Sequence, residues 1–413
     1  MDSKSDCMKI IIINDYGFVQ GGASQVAINS AQGLAEAGHE VFFVYGVGPA
    51  SPDLEHPNIK LIDLQQYDLI SNPSRVNAAL SGVWNREAEK SLSIFLKREV
   101  DEDTVVHVHA WVKSLSASVV RASLKETQAV VVTLHDYFTA CPNGGFYNYQ
   151  TGQSCHLEPM SLSCLATNCD ARSYPQKLWR FIRQGVASAS GVPRELPHVI
   201  YVSSFSKEIL RPYLSSNTHY WHVPNPINVR RVDPFTPSAT KNFSYIGRLA
   251  LEKGVLTLAE VAKSHPEYSV RFVGTGELKE MLKKELPHAA FTGWADREQM
   301  DNYLARTRAL IFPSNLYETQ GMTVAEAAAL GVPSIVSDTC AARDYVEHEY
   351  TGLLFKGGDA EALHQAMMRL LEDPGLADRL GRNAYERFWQ SPPTLEQHIS
   401  QLESSYRKII DKA

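Results

Sequence analysis

The stretch LIFPSNLYETQGMTVAEAAALGVPSIVSD, residues 310–338, leaves this chain fewer folding choices than any other. It reads as a strand at 310–313, a polar loop, a short helix over about 323–330 and a second strand at 334–337. Gly331 and Pro333 end the helix. Between Met322 and Val332 the sequence is apolar almost all round and dense in alanine, the composition of a helix buried against a sheet. Glu326 is its single charge, and a carboxylate on a buried helix is costly unless something binds it. Ribose or sugar hydroxyls meet that need, because an ionised carboxylate only accepts hydrogen bonds and a diol offers two donors. Glu318 stands eight positions earlier, in the loop. At Gly321 and Met322 the helix N-terminus turns free backbone N–H groups toward any anionic ligand. The plainer alternative is a solvent-facing Glu326 and a loop charge at Glu318; the apolar surroundings of Glu326 count against it.

The rest of the chain supplies the layers such a helix needs. A β-branched run at 9–14 reads as a buried parallel strand, followed by a loop at 15–22, a helix over about 23–37 and a strand at 41–45. Gly21 and Gly22 stand at the turn into that helix, a place where backbone approaches a phosphate or sugar closely. A plain tight turn explains them equally well, and they do not complete the Gly-x-Gly-x-x-Gly fingerprint of nicotinamide cofactors. Strands at 105–109, 129–134 and 199–202 alternate with helical stretches, as in a doubly wound parallel sheet. His135, and after it His109, lie at the carboxyl ends of two of them, where open α/β sheets bind ligands, though a satisfied structural histidine explains either as well. A proline-rich run at 221–237 marks a domain boundary. A second α/β pattern follows, with strands at 243–246, 269–273 and 290–292 ending in Gly247-Arg248, Gly274-Thr275-Gly276 and Gly293-Trp294. Asp101-Glu102-Asp103 has the look of an Asp-x-Asp metal site but precedes a strand in a charged linker, so it reads as a solvated turn.

A length of 413 residues suits two domains. The net charge of −6 excludes a general nucleic-acid binder, which needs a basic surface. No apolar run approaches the ~20 residues that span a bilayer. The opening MDSKSDCMKIIIIN has too short an apolar core for a signal peptide, so a cytoplasmic protein without structural disulfides is expected.

Glu318-Thr319-Gln320-Gly321 with Glu326-Ala327 resembles the Glu-x7-Glu signature of retaining glycosyltransferases with the GT-B fold, glycosyltransferase family 4. Gly21-Gly22, Gly38-His39 before Val41, Arg248, Lys253 and Gly352-Leu353-Leu354 extend the resemblance over nearly the whole chain. It is strongest at 245–358 and weakest at 138–196. The sequence departs from the family at Gln320, where Phe or a similar apolar residue is common, and at 340–344, where Gly-Gly and a Glu are usual. The first departure touches the donor-sugar pocket. The resemblance implies an α/β protein of two Rossmann-like doubly wound parallel-sheet domains facing across a cleft. These are an acceptor-side domain at 1–225, a nucleotide-sugar domain at 226–390 and a final helix at 391–413 crossing back. It further implies transfer, with retention, from a UDP- or GDP-sugar to a hydroxyl acceptor in polysaccharide, glycolipid or other glycoconjugate synthesis. Arg248 and Lys253 would take the donor diphosphate, one as a planar fork and one as a point charge, so no catalytic metal is required. Glu326 would hold the ribose and Glu318 the sugar hydroxyls, while backbone N–H groups of Gln320, Gly321 and Met322 face sugar or phosphates. His135 would position the sugar. A GT-B epimerase or phosphorylase is one competing reading, and nothing in the sequence calls for it. The other is a non-catalytic sugar-nucleotide-binding protein, against which intact Arg248, Lys253, Glu318 and Glu326 argue.

Two features stand apart. Cys141, Cys155, Cys164 and Cys169 fall within 29 residues and mark a small Cys-rich insertion at about 138–172. Either the four thiolates hold a structural zinc or they stay unligated, with disulfides or an iron–sulfur centre as the less favoured readings. The second feature is PQKLWRFIRQGV, residues 175–186, an amphipathic helix with Lys177, Arg180, Arg183 and Gln184 on one side and Leu178, Phe181, Ile182 and Gly185 on the other. One reading lays the basic side on an anionic membrane, with a lipid-linked acceptor and a peripheral location on its cytoplasmic face. In the other, the apolar side covers the sheet and the basic side is solvated.

Overall fold

The computed structural model describes residues 7–413; the first six residues of the N-terminal stretch considered above lie outside it. The chain divides into two compact units. The first comprises the chain through Gly144, Leu157–Pro226 and Pro393–Ala413; the second comprises Gly145–His156 and Ile227–Pro392.

The first unit is built on β1 (Lys9–Tyr16), β2 (Glu40–Val47), β3 (Ile59–Asp63), β4 (Thr104–Val108) and β5 (Val130–Thr133). After the short hairpin β6 (Tyr147–Asn148) and β7 (Gln153–Ser154), β8 (His198–Tyr201) and β9 (His219–His222) complete its sheet. The order is β3-β2-β1-β4-β5-β8-β9, all parallel. Ile10, Ile11, Ile12 and Ile13 are all fully buried, as a central parallel strand covered on both faces requires. Strand order turns back at β1, which lies between β2 and β4, so the loop carrying Gly21 and Gly22 leaves the sheet at its switch point. The helix Leu395–Ile410 returns to this unit, where Ile399, Leu402, Tyr406 and Ile409 join the core with Ile28, Ala31 and Leu34 of the helix Gly22–Glu36. Asp101-Glu102-Asp103 is an exposed turn, with Asp101 ion-paired to Lys9 at 2.5 Å.

In the second unit β10 (Asn242–Ile246), β11 (Ser269–Val273), β12 (Ala290–Gly293), β13 (Ala309–Phe312), β14 (Ser334–Ser337) and β15 (Gly352–Phe355) form a second parallel sheet. Its order is β12-β11-β10-β13-β14-β15, with the switch at β10. The alanine-rich helix Met322–Ala329 is buried between β13 and β14 in the chain, as its composition demanded.

Three expectations need correction. The stretch 138–172 is not one insertion of the first unit, because Gly145–His156, with the β6–β7 hairpin and Cys155, clusters with the second. Ser154 explains why: its hydroxyl donates to the Asn315 carbonyl at 2.7 Å. Next, among the described residues no group of three or more His, Cys, Asp or Glu is placed to hold a metal ion, so the four-cysteine zinc site is not supported. Instead the buried Lys177 ammonium lies 3.2 Å from the Cys164 sulfur. Finally, the helix Tyr174–Ala189 turns its charged side inward. Lys177 is 1% exposed and Arg183 and Gln184 are buried, whereas Ile182 is 59% exposed. The basic membrane-facing surface expected at 175–186 is therefore absent, and so is the alternative of an apolar side laid on the sheet. Among the described residues no helix is long and apolar enough to cross a membrane.

Candidate active site

The second unit gathers most of the expected residues at the carboxyl rim of its sheet. Arg248 follows β10 directly. Its guanidinium pairs with Glu252 one turn on; Arg248 is 57% exposed at its side chain and Glu252 only 3%. A buried carboxylate thus holds a terminal nitrogen of an arginine whose side chain is more than half exposed. Tyr245 donates to the Arg248 carbonyl at 2.7 Å and holds the backbone. The Lys253 ammonium lies 2.6 Å from Glu318, which also accepts from the Ser314 hydroxyl at 2.9 Å. Residues 65 positions apart meet because the loops after β10 and β13 touch backbone to backbone. Gly254, in the left-handed region at φ 66°, passes so close to Pro313 that a Cβ would sit 1.8 Å from its carbonyl oxygen. Burial, then the charges of Glu318 and Glu252, raise the Tyr245 hydroxyl well above its usual range, and the Arg248 cation opposes them.

The helices Val255–Ser264 and Met322–Ala329 both begin here, from Gly254 and Gly321. Neither has a side-chain cap or an acidic residue in its first turn. Both N-termini therefore keep their positive character for a ligand. Gly321 adopts φ 86° and comes close enough to Ala342 that a Cβ would lie 2.4 Å from that side chain. Gln320 is 3% exposed, and its amide donates to the Tyr345 hydroxyl at 2.8 Å. A polar residue is thereby accommodated where the family carries an apolar one, and Met322 follows in the first helical turn. Glu326 is paired with Arg297 at 2.7 Å. Burial pushes its carboxyl above the usual range, and the Arg297 cation opposes that shift.

Glu252 and Arg297 were missed from sequence. Glu252 carried a signal, lying one helical turn from Arg248. Arg297 carried none, since it reaches Glu326 from another helix, Arg297–Leu304.

The remaining candidates belong to the first unit. Gly21 is the N-cap of its helix, with no side-chain cap, and a Cβ at Gly21 or Gly22 would meet nothing within 4 Å. The turn is open rather than packed. His135 follows β5, and its Nε2 lies 2.9 Å from Nδ1 of His109. His107, two residues before His109, bonds Thr133 and Tyr406, each at 2.6 Å. Burial, then the nearby His398, pushes His135 down to about 3, so it is neutral in ordinary buffers. Burial raises the neighbouring Asp136 to about 6, against the pull of Arg183 and Lys113.

A family model described as Glycosyltransferase Family 4 matches residues 20–231, and one described as Glycosyl transferases group 1 matches residues 230–387. The chain belongs to glycosyltransferase family 4. It is 25% identical over 386 residues to an uncharacterized glycosyltransferase of Methanocaldococcus jannaschii, covering 90% of this chain and 91% of that protein. Among solved structures, a sucrose-phosphate synthase from Thermosynechococcus elongatus aligns with TM-score 0.72 at 21% identity, covering 98% of this chain and 100% of that one. The Anabaena protein HepE, solved with UDP and glucose, aligns with TM-score 0.65 at 15% identity, over 97% and 100%. With two parallel Rossmann-like sheets, this family 4 chain has the GT-B fold, and it is a glycosyltransferase of nucleotide sugars.

Proposed function

We propose that this glycosyltransferase moves a sugar with retention of anomeric configuration from a UDP- or GDP-sugar to a hydroxyl of a sugar acceptor in glycoconjugate synthesis. The observation that carries the reading is the Lys253–Glu318 contact beside Arg248, two cations and a carboxylate fixed on one rim. As the bond from the anomeric carbon to the β-phosphate oxygen breaks, negative charge grows on the leaving diphosphate. Arg248, Lys253 and the two uncapped helix N-termini offer positive charge to that leaving group from the carboxyl rim of the second sheet. The protein's own cations thus do the work a divalent metal would do elsewhere.

Glu326 accepts the ribose hydroxyls, taking two donors in place of Arg297. Glu318 accepts from the transferring sugar, and Lys253 then bridges sugar-binding carboxylate and phosphate. The acceptor oxygen attacks the anomeric carbon from the face the diphosphate leaves, and its proton passes to the departing phosphate oxygen. Incubating the purified chain with UDP- and GDP-sugars tests the reading: release of nucleoside diphosphate supports it, and an inert protein with every donor contradicts it.

A further inference from the structure

The first unit contains a cavity of about 430 Å³ that the donor chemistry does not use. It opens on the carboxyl rim of the sheet: Tyr16 ends β1, Asp68 follows β3 by five residues, and Lys113 follows β4 by five. Its lining carries four cations, Arg75, Lys113, Arg172 and Arg180, against the single carboxylate of Asp68. An apolar wall of Leu69, Ala78 and Trp179 stands beside them.

The site is built rather than accidental. The buried Asp15 carboxylate accepts from the backbone N–H groups of Lys113, Ser114 and Leu115 at 2.9, 2.8 and 3.1 Å, and so fixes the loop that presents Lys113. The Lys113 carbonyl in turn accepts from the Leu69 amide at 3.0 Å. Arg180 is anchored through Nε, 2.9 Å from the fully buried Asp170. Trp179 is locked by its indole N–H on the Ala79 carbonyl at 3.0 Å, and its ring lies so close to Gly82 that a Cβ there would sit 2.6 Å away. Burial, then the charges of Arg180 and Arg183, pull the Lys113 ammonium below its usual range; Asp15 and Asp136 oppose them. The cavity lining itself carries more cations than carboxylates, and arginine forks match phosphate or carboxylate oxygens.

We infer that this cavity binds the acceptor by an anionic group, the acceptor being a sugar that carries a phosphate or a carboxylate. The cations take the anion, and the wall of Leu69, Ala78 and Trp179 takes the apolar face of the ring. The inference rests on the glycosyltransferase reading and adds the acceptor's charge to it. Calorimetry on the full chain saturated with UDP, at low salt, tests it with glucose 6-phosphate, glucuronate and glucose as probes. At least one anionic sugar binds ten-fold or more tighter than glucose, and the phosphate and carboxylate arms show which anion is preferred. Lys113→Glu with Arg172→Glu lowers that affinity at least ten-fold while the thermal midpoint is kept. Arg172→Glu alone, at an exposed position, lowers it in the same direction should the double variant fail to fold. Equal binding of charged and neutral sugars, or undiminished binding in a folded variant, overturns the inference. Failure of the glycosyltransferase reading shows differently, as a wild type that hydrolyses no nucleotide sugar.

Discussion

Glu326 and Glu318 hold different partners, Arg297 and Lys253, and the proposed function gives them different roles. Ribose contacts are made about equally in ground and transition states, whereas contacts to the reacting sugar tighten as charge develops. Glu326→Gln is therefore expected to raise the donor KM chiefly, and Glu318→Gln to lower kcat chiefly. Steady-state kinetics on both variants checks this, and equal effects on both parameters in both would mean the roles are wrongly divided. His135 makes a second expectation. With its proton affinity held down to about 3, the ring stays neutral over the range in which an ordinary histidine titrates, roughly pH 5 to 8. Its Cε1 proton resonance should stay flat over that range; a midpoint near 6.5 would contradict the assignment. Arg248, Lys253, Glu318 and Glu326 were legible because each sits in a short run whose loop or helix position the sequence announces. Arg297 was not, because only the packing of two helices brings it to Glu326.

At the scale of elements, the loops after β10 and β13 depend on Gly254. An alanine there must move a backbone carbonyl and accept a left-handed φ. The expected loss is about 1–3 kcal/mol of stability from overpacking, together with a weaker Lys253–Glu318 contact. Chemical denaturation and donor turnover of Gly254→Ala should both fall; an unchanged protein would show that the close approach is not maintained. Most strands were readable as short β-branched or aromatic runs. β3 was not picked out because its solvent side breaks the apolar run, and β9, His-Tyr-Trp-His, because its polar ends sit at a sheet edge beside a proline-rich stretch. The helix Tyr174–Ala189 is the instructive failure. Its two-sided pattern was visible, but which side faces in was decided by distant groups: the Cys164 sulfur for Lys177, Asp170 for Arg180, the Phe138 ring for Arg183.

For the whole molecule, both parallel sheets turn back in strand order at their first strand, β1 and β10, and the sequence predicted the parallel class but not the strand order. The first unit depends on the chain's end: His398 bonds Ser30 and the Pro224 carbonyl, and Tyr406 bonds His107. Burial lowers the proton affinities of His107, His109, His135 and His398, the last to about 4. On acidification below about pH 6.5 the unfolded chain takes protons that these folded histidines refuse, so stability falls as pH falls toward 4. Asp136, raised to about 6, works the other way, since its folded form binds a proton more readily than the unfolded one. Asp15 and Glu326, also raised by burial, act with Asp136; the four histidines are expected to dominate, so the urea midpoint should drop between pH 7 and pH 5, and a rise would contradict the burial of this cluster. The central claim is that Arg248 and Lys253 clamp a nucleotide-sugar diphosphate. The most direct measurement is donor hydrolysis and nucleoside diphosphate affinity in Arg248→Ala and Lys253→Ala beside wild type. Loss of a charged donor to developing phosphate charge costs about 2–4 kcal/mol, so each variant should lose roughly two to three orders of magnitude in turnover while staying folded. Wild-type turnover and nucleotide affinity in both folded variants would contradict the account.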